Sequence, residues 1–166
     1  MNFNEYLSVL SQAFSQNGLS SLITEDAAKK LYCLSDILIQ TNKTFNLTAI
    51  TDEKEIILKH FVDCASALEY ISDSSTVIDV GCGAGFPSIP LAILNKTLNI
   101  TSLDSTSKKI GFINSTVKEL CLDNITGICG RAEEMAESKR ESFDVCISRA
   151  VARLNVLSEI CIPLVK

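Results

Sequence analysis

The stretch TVIDVGCGAGFPSIPLAI, residues Thr76 to Ile93, decides how this chain folds. It begins as an apolar run that contains one acid, Asp79, and it ends as an apolar segment with helical spacing that Phe86 opens. Between them lie three glycines at alternate positions: Gly81, Gly83 and Gly85. Glycine lets the backbone approach a ligand closely, and the N-terminus of the following helix offers unpaired N–H groups. The pattern therefore predicts a strand, a ligand-binding glycine loop and a helix, with Asp79 placed to accept hydrogen bonds from the loop or from a ligand amine.

Three other interpretations of this loop fit less well. A tight turn without a ligand needs only one glycine. The dinucleotide fingerprint G-x-G-x-x-G/A requires Gly or Ala where this chain has Phe86. The phosphate loop G-x-x-x-x-G-K-[ST] is absent, which disfavours binding of a nucleoside triphosphate. The order D-x-G-x-G-x-G-F-P instead resembles motif I of Rossmann-like S-adenosylmethionine-dependent methyltransferases.

Composition sets outer limits on function. The formal net charge of −5 excludes a generic polyanion binder, so any contact with RNA must come from local patches. The seven cysteines form no C-x-x-C pair and His60 is the single histidine, which makes a metal site improbable. Unpaired thiols inside apolar runs are typical of a reduced, cytoplasmic protein. We find no signal peptide and no apolar run long enough to span a membrane, and we expect a monomer.

The first part of the chain predicts helices. Residues 2–17 carry apolar side chains at helical spacing, a second helix follows Thr24, and a third runs from about Asp52 to Ile71. The polar stretch Thr41 to Ile50 between the last two is predicted to be an ordered loop. Residues 1–70 are therefore expected to form an N-terminal helical extension.

From Thr76 onward the pattern changes to strands that alternate with helices. After the first strand, further strands are predicted at 99–103, 124–129 and 143–147, with helices at about 106–120 and 154–160. Such alternation indicates right-handed β-α-β units and a parallel sheet. Residues 71–166 are thus predicted to be an α/β Rossmann-like methyltransferase domain. Its sheet stops after the fourth strand, so that the C-terminal part of such a domain is expected to be lacking.

In open parallel sheets a ligand binds outside the carboxyl ends of the strands, and four such ends are visible. The first is the glycine loop. At the second, Asp104 is placed to accept hydrogen bonds from both ribose hydroxyls, although it could also be only a helix cap. At the third, the N–H of Ala132 and the acid Glu133 could recognise an adenine edge, although such a polar loop is common.

The fourth strand end carries Arg149 and Arg153, which are expected to lie on one helix face towards the ligand. Two catalytic patterns are missing here. There is no [DN]-P-P-[FY], which enzymes that methylate exocyclic amines of bases carry, and no nucleophilic cysteine beside a proline for attack on pyrimidine C5. Cys146, inside the predicted strand, is expected to belong to the core.

Five blocks of residues occur in the order typical of one family. They are Asn42–Lys43 with Asn46–Ile50, Lys59–Phe61 with Asp63, Asp79–Ile93, Arg131–Glu133 and Ser148–Ala152. Together they resemble the ribosomal RNA small subunit methyltransferase G family, also called the glucose-inhibited division protein B family. The resemblance covers nearly the whole chain. It implies methylation of guanine N7 in 16S ribosomal RNA, free or in a small-subunit assembly intermediate, with S-adenosylmethionine as cofactor. It also implies that Gly81, Phe86, Ala132, Glu133 and Arg149 contact that cofactor.

This reaction fits what the sequence lacks. Guanine N7 has a free lone pair, so no base must remove a proton, and positioning is most of the task. No catalytic residue is assigned, and His60 is predicted to be structural or a loop anchor. Two rivals stay open: a methyltransferase acting on a small molecule or a protein, and a non-enzymatic module that binds S-adenosylmethionine.

Overall fold

A computed structural model describes residues 1–166 of the chain. The four strands are β1 (Thr76–Val80), β2 (Asn99–Asp104), β3 (Ile125–Cys129) and β4 (Val145–Ile147). The eight α-helices are α1 (Phe3–Gln16), α2 (Glu25–Asn42), α3 (Glu53–Ile56), α4 (Asp63–Ser66), α5 (Ser88–Leu94), α6 (Ser107–Glu119), α7 (Ala132–Lys139) and α8 (Leu154–Cys161). Short 3₁₀ turns cover Ser20–Leu22, Ala67–Tyr70 and Ile162–Leu164.

The strands form one parallel sheet with the order β3-β2-β1-β4. Val77 of β1 pairs with Ile100 of β2 on one side and with Val145 of β4 on the other. The strand order therefore reverses between β1 and β4, and such a switch point opens a crevice at the carboxyl ends of the strands. The predicted α/β Rossmann-like fold is confirmed, with four strands in the described chain.

The helical extension begins with well-capped helices. Asn2 forms a capping box with Glu5 at the start of α1, and the Thr24 side chain caps α2 by accepting from the N–H of Ala27. The predicted third helix is present, and Asp52 caps it by accepting from the N–H of Glu55. It is not uniform, however, because a π-helical stretch, Ile57–Val62, separates α3 from α4.

The two faces of the sheet are covered differently. One face shares an apolar core with α1, α2, the third helical segment, α5 and α6. The other face carries a small cluster, which joins β1 and β2 to α7 and to the chain end: Ile78, Val80, Leu103, Ala132, Phe143 and Leu164. Because the first core is continuous, we expect residues 71–166 to need residues 1–70 for stability. The division into these two domains itself stays a prediction.

Two elements differ from the expectation. Residues 132–139 form helix α7, where the sequence indicated a polar loop. The helix was not predicted because its apolar side consists of little more than Ala132, Met135 and Ala136. The fourth strand begins at Val145 and not at 143. Phe143 forms an isolated parallel bridge with Val165, and its N–H donates to the Leu164 carbonyl at 3.0 Å. Val165 thus pairs with the segment just before β4.

Asp79 is a fully buried acid inside β1. Its Oδ2 accepts from the Ser88 N–H at 3.2 Å, which ties the end of β1 to the first turn of α5, while Oδ1 has no hydrogen-bond partner. Burial raises the pKa of Asp79 from 3.8 to about 6, although the hydrogen bonds from Ser88 lower it. Ionisation of Asp79 therefore costs more free energy in the folded state than in the unfolded chain.

We predict that Asp79→Asn makes the protein more stable near neutral pH and leaves it unchanged in acid. Between pH 4 and 6 the unfolded chain gives up the Asp79 proton before the folded chain does, so native stability falls across this range as pH rises. A shift of roughly two pKa units corresponds to about 3 kcal/mol, which is the upper limit of the gain. Urea unfolding of both proteins between pH 4 and 8 measures it. A difference that does not vary with pH would contradict the assignment.

Candidate functional site

A cavity of about 360 Å³ lies at the carboxyl ends of the strands. All four strand ends contribute to its lining, as does α8: Val80 and Gly81, Leu103 to Thr106 with Lys109, Gly130 to Glu133, Ala150 and Val151, and Ile160. Four of the eight predicted cofactor residues therefore share one cavity, namely Gly81, Asp104, Ala132 and Glu133. The other four, Gly83, Gly85, Phe86 and Arg149, lie outside this lining.

Asp104 is the best-defined acceptor in the cavity. Its Oδ1 accepts from the Thr106 N–H at 2.9 Å, and its Oδ2 accepts from the Gly83 N–H at 3.1 Å. Burial opposes ionisation, but these hydrogen bonds and the Lys109 ammonium 3.4 Å away outweigh it and lower the pKa of Asp104. The carboxylate is therefore ionised at neutral pH, so both of its oxygens can act as acceptors for ribose hydroxyls.

The glycine loop folds against the end of β2. The N–H groups of Gly81 and Cys82 donate to the Leu103 carbonyl at 2.8 and 3.1 Å. All three loop glycines have positive φ: Gly81, Gly83 and Gly85. A Cβ on Gly81 would overlap Val151 Cγ2, and one on Gly85 would meet Ile89 Cγ1 at 2.7 Å. At Gly83 only the Gly81 carbonyl oxygen lies within 4 Å, at 3.9 Å, so the protein leaves that position open.

The third strand end places a helix N-terminus in the cavity. Ala132 and Glu133 start α7, and the first N–H groups of a helix have no acceptor within it. The Glu133 carboxylate accepts from its own N–H and from Arg131 at 3.2 Å, and these bonds lower its pKa. A free N–H on Ala132 beside an ionised acid is an arrangement suited to an amino-purine edge.

Arg149 takes a different direction from the one expected. Its guanidinium points to the helical extension, where Nη1 donates to Asp63 Oδ2 at 3.0 Å and to the Lys59 carbonyl at 3.3 Å. It also lies 5.5 Å from the centre of the Phe86 ring. The expectation that Arg149 and Arg153 share a helix face is wrong, because α8 begins only at Leu154. The residues between them follow an irregular path.

Three neighbours of the site were not recognised in the sequence. Lys109 pairs with Asp104 from the first turn of α6, and its signal was a cation five residues after the acid. Val151 covers Gly81, and Ala150 before it has a φ of +57°, a backbone conformation that costs a non-glycine residue about 1–2 kcal/mol. No sequence pattern indicates the contact of Val151 with Gly81 or the positive φ of Ala150, because both depend on the path of the chain after β4.

The residues present fit S-adenosylmethionine. Asp104 matches a ribose, the Ala132 N–H and Glu133 match an adenine edge, and Val80, Leu103 and Ile160 offer apolar contact to a ring. Beside them the glycine loop exposes backbone at Gly83.

No helix of the structure is long and apolar enough to cross a membrane.

Comparisons with known proteins agree with this fit. The family model "GidB: rRNA small subunit methyltransferase G" matches residues 27–166. Ribosomal RNA small subunit methyltransferase G of Clostridium perfringens (strain SM101) is 44% identical over 98% of this chain, which spans 69% of that relative. The same-named protein of Lactobacillus acidophilus is 49% identical over 78% of this chain and 56% of its own length.

Solved structures confirm the fold at low sequence identity. A putative S-adenosyl-L-methionine-dependent methyltransferase of Methanococcus maripaludis has a TM-score of 0.59 and 16% identity, over 80% of this chain and 57% of its own. Precorrin-6y C5,15-methyltransferase of Geobacter metallireducens has a TM-score of 0.55 and 20% identity, over 75% of this chain and 64% of its own. With the family match over most of its length, the chain belongs to the rRNA small subunit methyltransferase G family.

Proposed function

We propose that this chain binds S-adenosylmethionine in the cavity at the strand ends and serves methyl transfer to ribosomal RNA of the small subunit. The finer target is N7 of a guanine in 16S ribosomal RNA, free or in an assembly intermediate. The protein is an enzyme by family, and we expect it to act in the cytoplasm as a monomer without a metal. These finer statements extend the resemblance noted in the sequence.

One observation carries the proposal: the ionised Asp104 carboxylate lies beside the glycine loop at the switch point of the sheet. Its contact with the Gly83 N–H holds loop and acid together. A ribose at Asp104 would bring the remainder of the cofactor along the loop, and Ala132 and Glu133 would hold its base. Gly81, Gly83, Gly85, Phe86 and Arg149 complete the proposed set.

The chemistry asks little of the protein beyond orientation. S-adenosylmethionine supplies a methyl group on a positively charged sulfur, and guanine N7 can accept it with its own lone pair. The chain's residues therefore have to bind the two partners, align them and exclude water. The cavity offers acceptors and backbone donors for this task.

Two rival functions make different demands. A methyltransferase for a small molecule or a protein would bind the cofactor but show no salt-dependent affinity for RNA. A non-enzymatic module would bind the cofactor and transfer nothing to any substrate. The family match favours the ribosomal RNA enzyme over both.

We predict micromolar binding of S-adenosylmethionine by calorimetric titration, and no binding of NAD or ATP. In Gly83→Val the new side chain would occupy the open space at the loop, so cofactor affinity should fall at least tenfold, which corresponds to about 1.4 kcal/mol. Unchanged cofactor affinity in a folded Gly83→Val protein would contradict the proposal that the glycine loop binds the cofactor.

Gly18→Val is the matched control for this substitution. Gly18 also has a positive φ, of 74° against 58° at Gly83, and also has open space around it, but it follows α1 away from the cavity. Both variants carry a similar backbone strain, so their losses in thermal stability should be alike. Only Gly83→Val should lose the cofactor.

We predict that Arg153→Ala weakens RNA binding and spares the cofactor. Arg153 is exposed at the N-terminus of α8 and forms no ion pair, so its charge is free for a phosphate. Losing one phosphate contact should lower the slope of log affinity against log salt by about one unit. RNA titrations across a salt series measure this slope, with the exposed Arg140 at the far end of α7 as control in Arg140→Ala. An equal loss in both variants would show that RNA does not select this edge.

A further inference from the structure

The loop from Lys43 to Ile50 is held by the side chain of Asn42, the last residue of α2, so the loop that the sequence predicted over Thr41 to Ile50 begins two residues later than expected. Its Oδ1 accepts from the N–H groups of Leu47 at 2.7 Å and Thr48 at 3.0 Å, and its Nδ2 donates to the Thr48 carbonyl at 2.9 Å. Three hydrogen bonds to one short segment fix the place of Thr48. The proposed cofactor site does not account for this loop.

Thr48 in turn holds His60. The Thr48 hydroxyl oxygen lies 3.2 Å from His60 Nε2, and it also accepts from the Ile50 N–H at 3.1 Å. The imidazole is buried and stacks on the Phe86 ring, with centroids 4.4 Å apart and planes inclined by 15°. His60 belongs to the π-helical stretch, and π-helical turns are frequent at functional sites.

The other nitrogen of His60 contacts Arg149. Arg149 Nη2 lies 3.0 Å from His60 Nδ1. Arginine has only donors, so Nδ1 must accept and the proton of the neutral ring must sit on Nε2, which donates to Thr48. The hydrogen bonds therefore run in one direction, from Arg149 through His60 to Thr48.

The charges around the ring keep it neutral. Burial comes first and the Arg149 charge second in lowering the pKa of His60 to about 4, while Asp63 acts in the opposite direction. At neutral pH the ring is therefore an acceptor for Arg149 and does not repel it. Lys59 is exposed on the preceding position and bonds with its side chain to Glu55.

Arg149 is left with part of its donor capacity. Its Nη1 is engaged by Asp63 and Lys59, and one N–H of Nη2 by His60, whereas Nε and the second N–H of Nη2 have no partner in the protein. Its successors Ala150 and Val151 line the cavity. The guanidinium is thus held in one orientation, with two N–H groups free to donate to a ligand.

We propose that His60 and Thr48 are positioning residues that hold the Arg149 guanidinium in place for the cofactor, so that the loop from Lys43 to Ile50 supports the active site through His60. This rests on the proposed function, because it assumes that Arg149 contacts S-adenosylmethionine. His60 then acts through Arg149 and exchanges no proton with the substrate.

Two substitutions at His60 separate hydrogen bonding from packing. His60→Phe keeps a ring on Phe86 but removes the acceptor, and His60→Gln keeps an acceptor and a donor. Because a hydrogen bond to a charged group is among the stronger ones, we expect His60→Phe to weaken S-adenosylhomocysteine binding by about tenfold. His60→Gln should restore most of the affinity. Equal affinity in all three folded proteins would overturn the proposal.

Thr48→Val tests the outer end of the chain of hydrogen bonds. It should weaken binding by about threefold, and in the His60→Phe background it should add nothing, because the two residues act in series. Thr44→Val is the matched control, since the exposed Thr44 lies on the same loop and bonds only to the Thr41 carbonyl. If His60→Phe does not fold, Thr48→Val and His60→Gln decide alone. Full additivity of the Thr48 and His60 changes, or no effect of Thr48→Val, contradicts the proposal.

His60 is the single histidine of the chain, so NMR of its ring gives a second measurement, which a purely structural role of His60 would leave unchanged when the ligand binds. Nitrogen NMR of the ring should show a proton on Nε2 and none on Nδ1 at pH 7. Arg149→Met should raise the pKa of His60, and S-adenosylhomocysteine should shift the ring signals of the unaltered protein. A proton on Nδ1 overturns the proposal. If the unaltered chain does not bind S-adenosylhomocysteine at all, the proposed function fails first, and the two failures are distinguishable.

Discussion

The Asp104 carboxylate is the point on which the proposed site depends. It joins the end of β2 to the glycine loop after β1 through the Gly83 N–H, and to the start of α6 through the Thr106 N–H. Burial acts to raise the pKa of this acid, and its hydrogen bonds outweigh that effect and lower the pKa below its ordinary value. Asp104 serves both the fold and the proposed ligand site, because the carboxylate that orders the glycine loop also lines the cavity.

The helical extension reaches the site from the other side. Phe86, the residue after the last loop glycine, packs against the extension: the His60 ring stacks on it, the Phe61 ring centre lies 6.2 Å from its own, and Arg149 lies over its ring. An aromatic residue at this position thus has a structural reason, besides excluding a dinucleotide fingerprint. If Arg149 contacts the cofactor as proposed, the extension does more than cover the sheet, since its π-helical stretch supplies Lys59 and His60 as partners of Arg149.

Local patterns made the sheet and the loop predictable. The apolar run Thr76–Val80 with three alternate glycines specifies strand, turn and helix within one short stretch, and β2 with Asp104 follows from the same alternation. Helix α7 was missed because its apolar side is small and its first turn is acidic. The direction of Arg149 could not be predicted, because it is set by Asp63 and His60, which are 86 and 89 residues earlier in the chain. Contacts over such separations leave no periodic pattern.

A crystal structure of this chain with S-adenosylhomocysteine would show directly whether Asp104 holds the ribose of the cofactor. We predict that the ribose hydroxyls lie within hydrogen-bond distance of the Asp104 carboxylate and that the adenine lies at the Ala132 N–H. A ligand bound outside this cavity, or a ribose that does not contact Asp104, would contradict it.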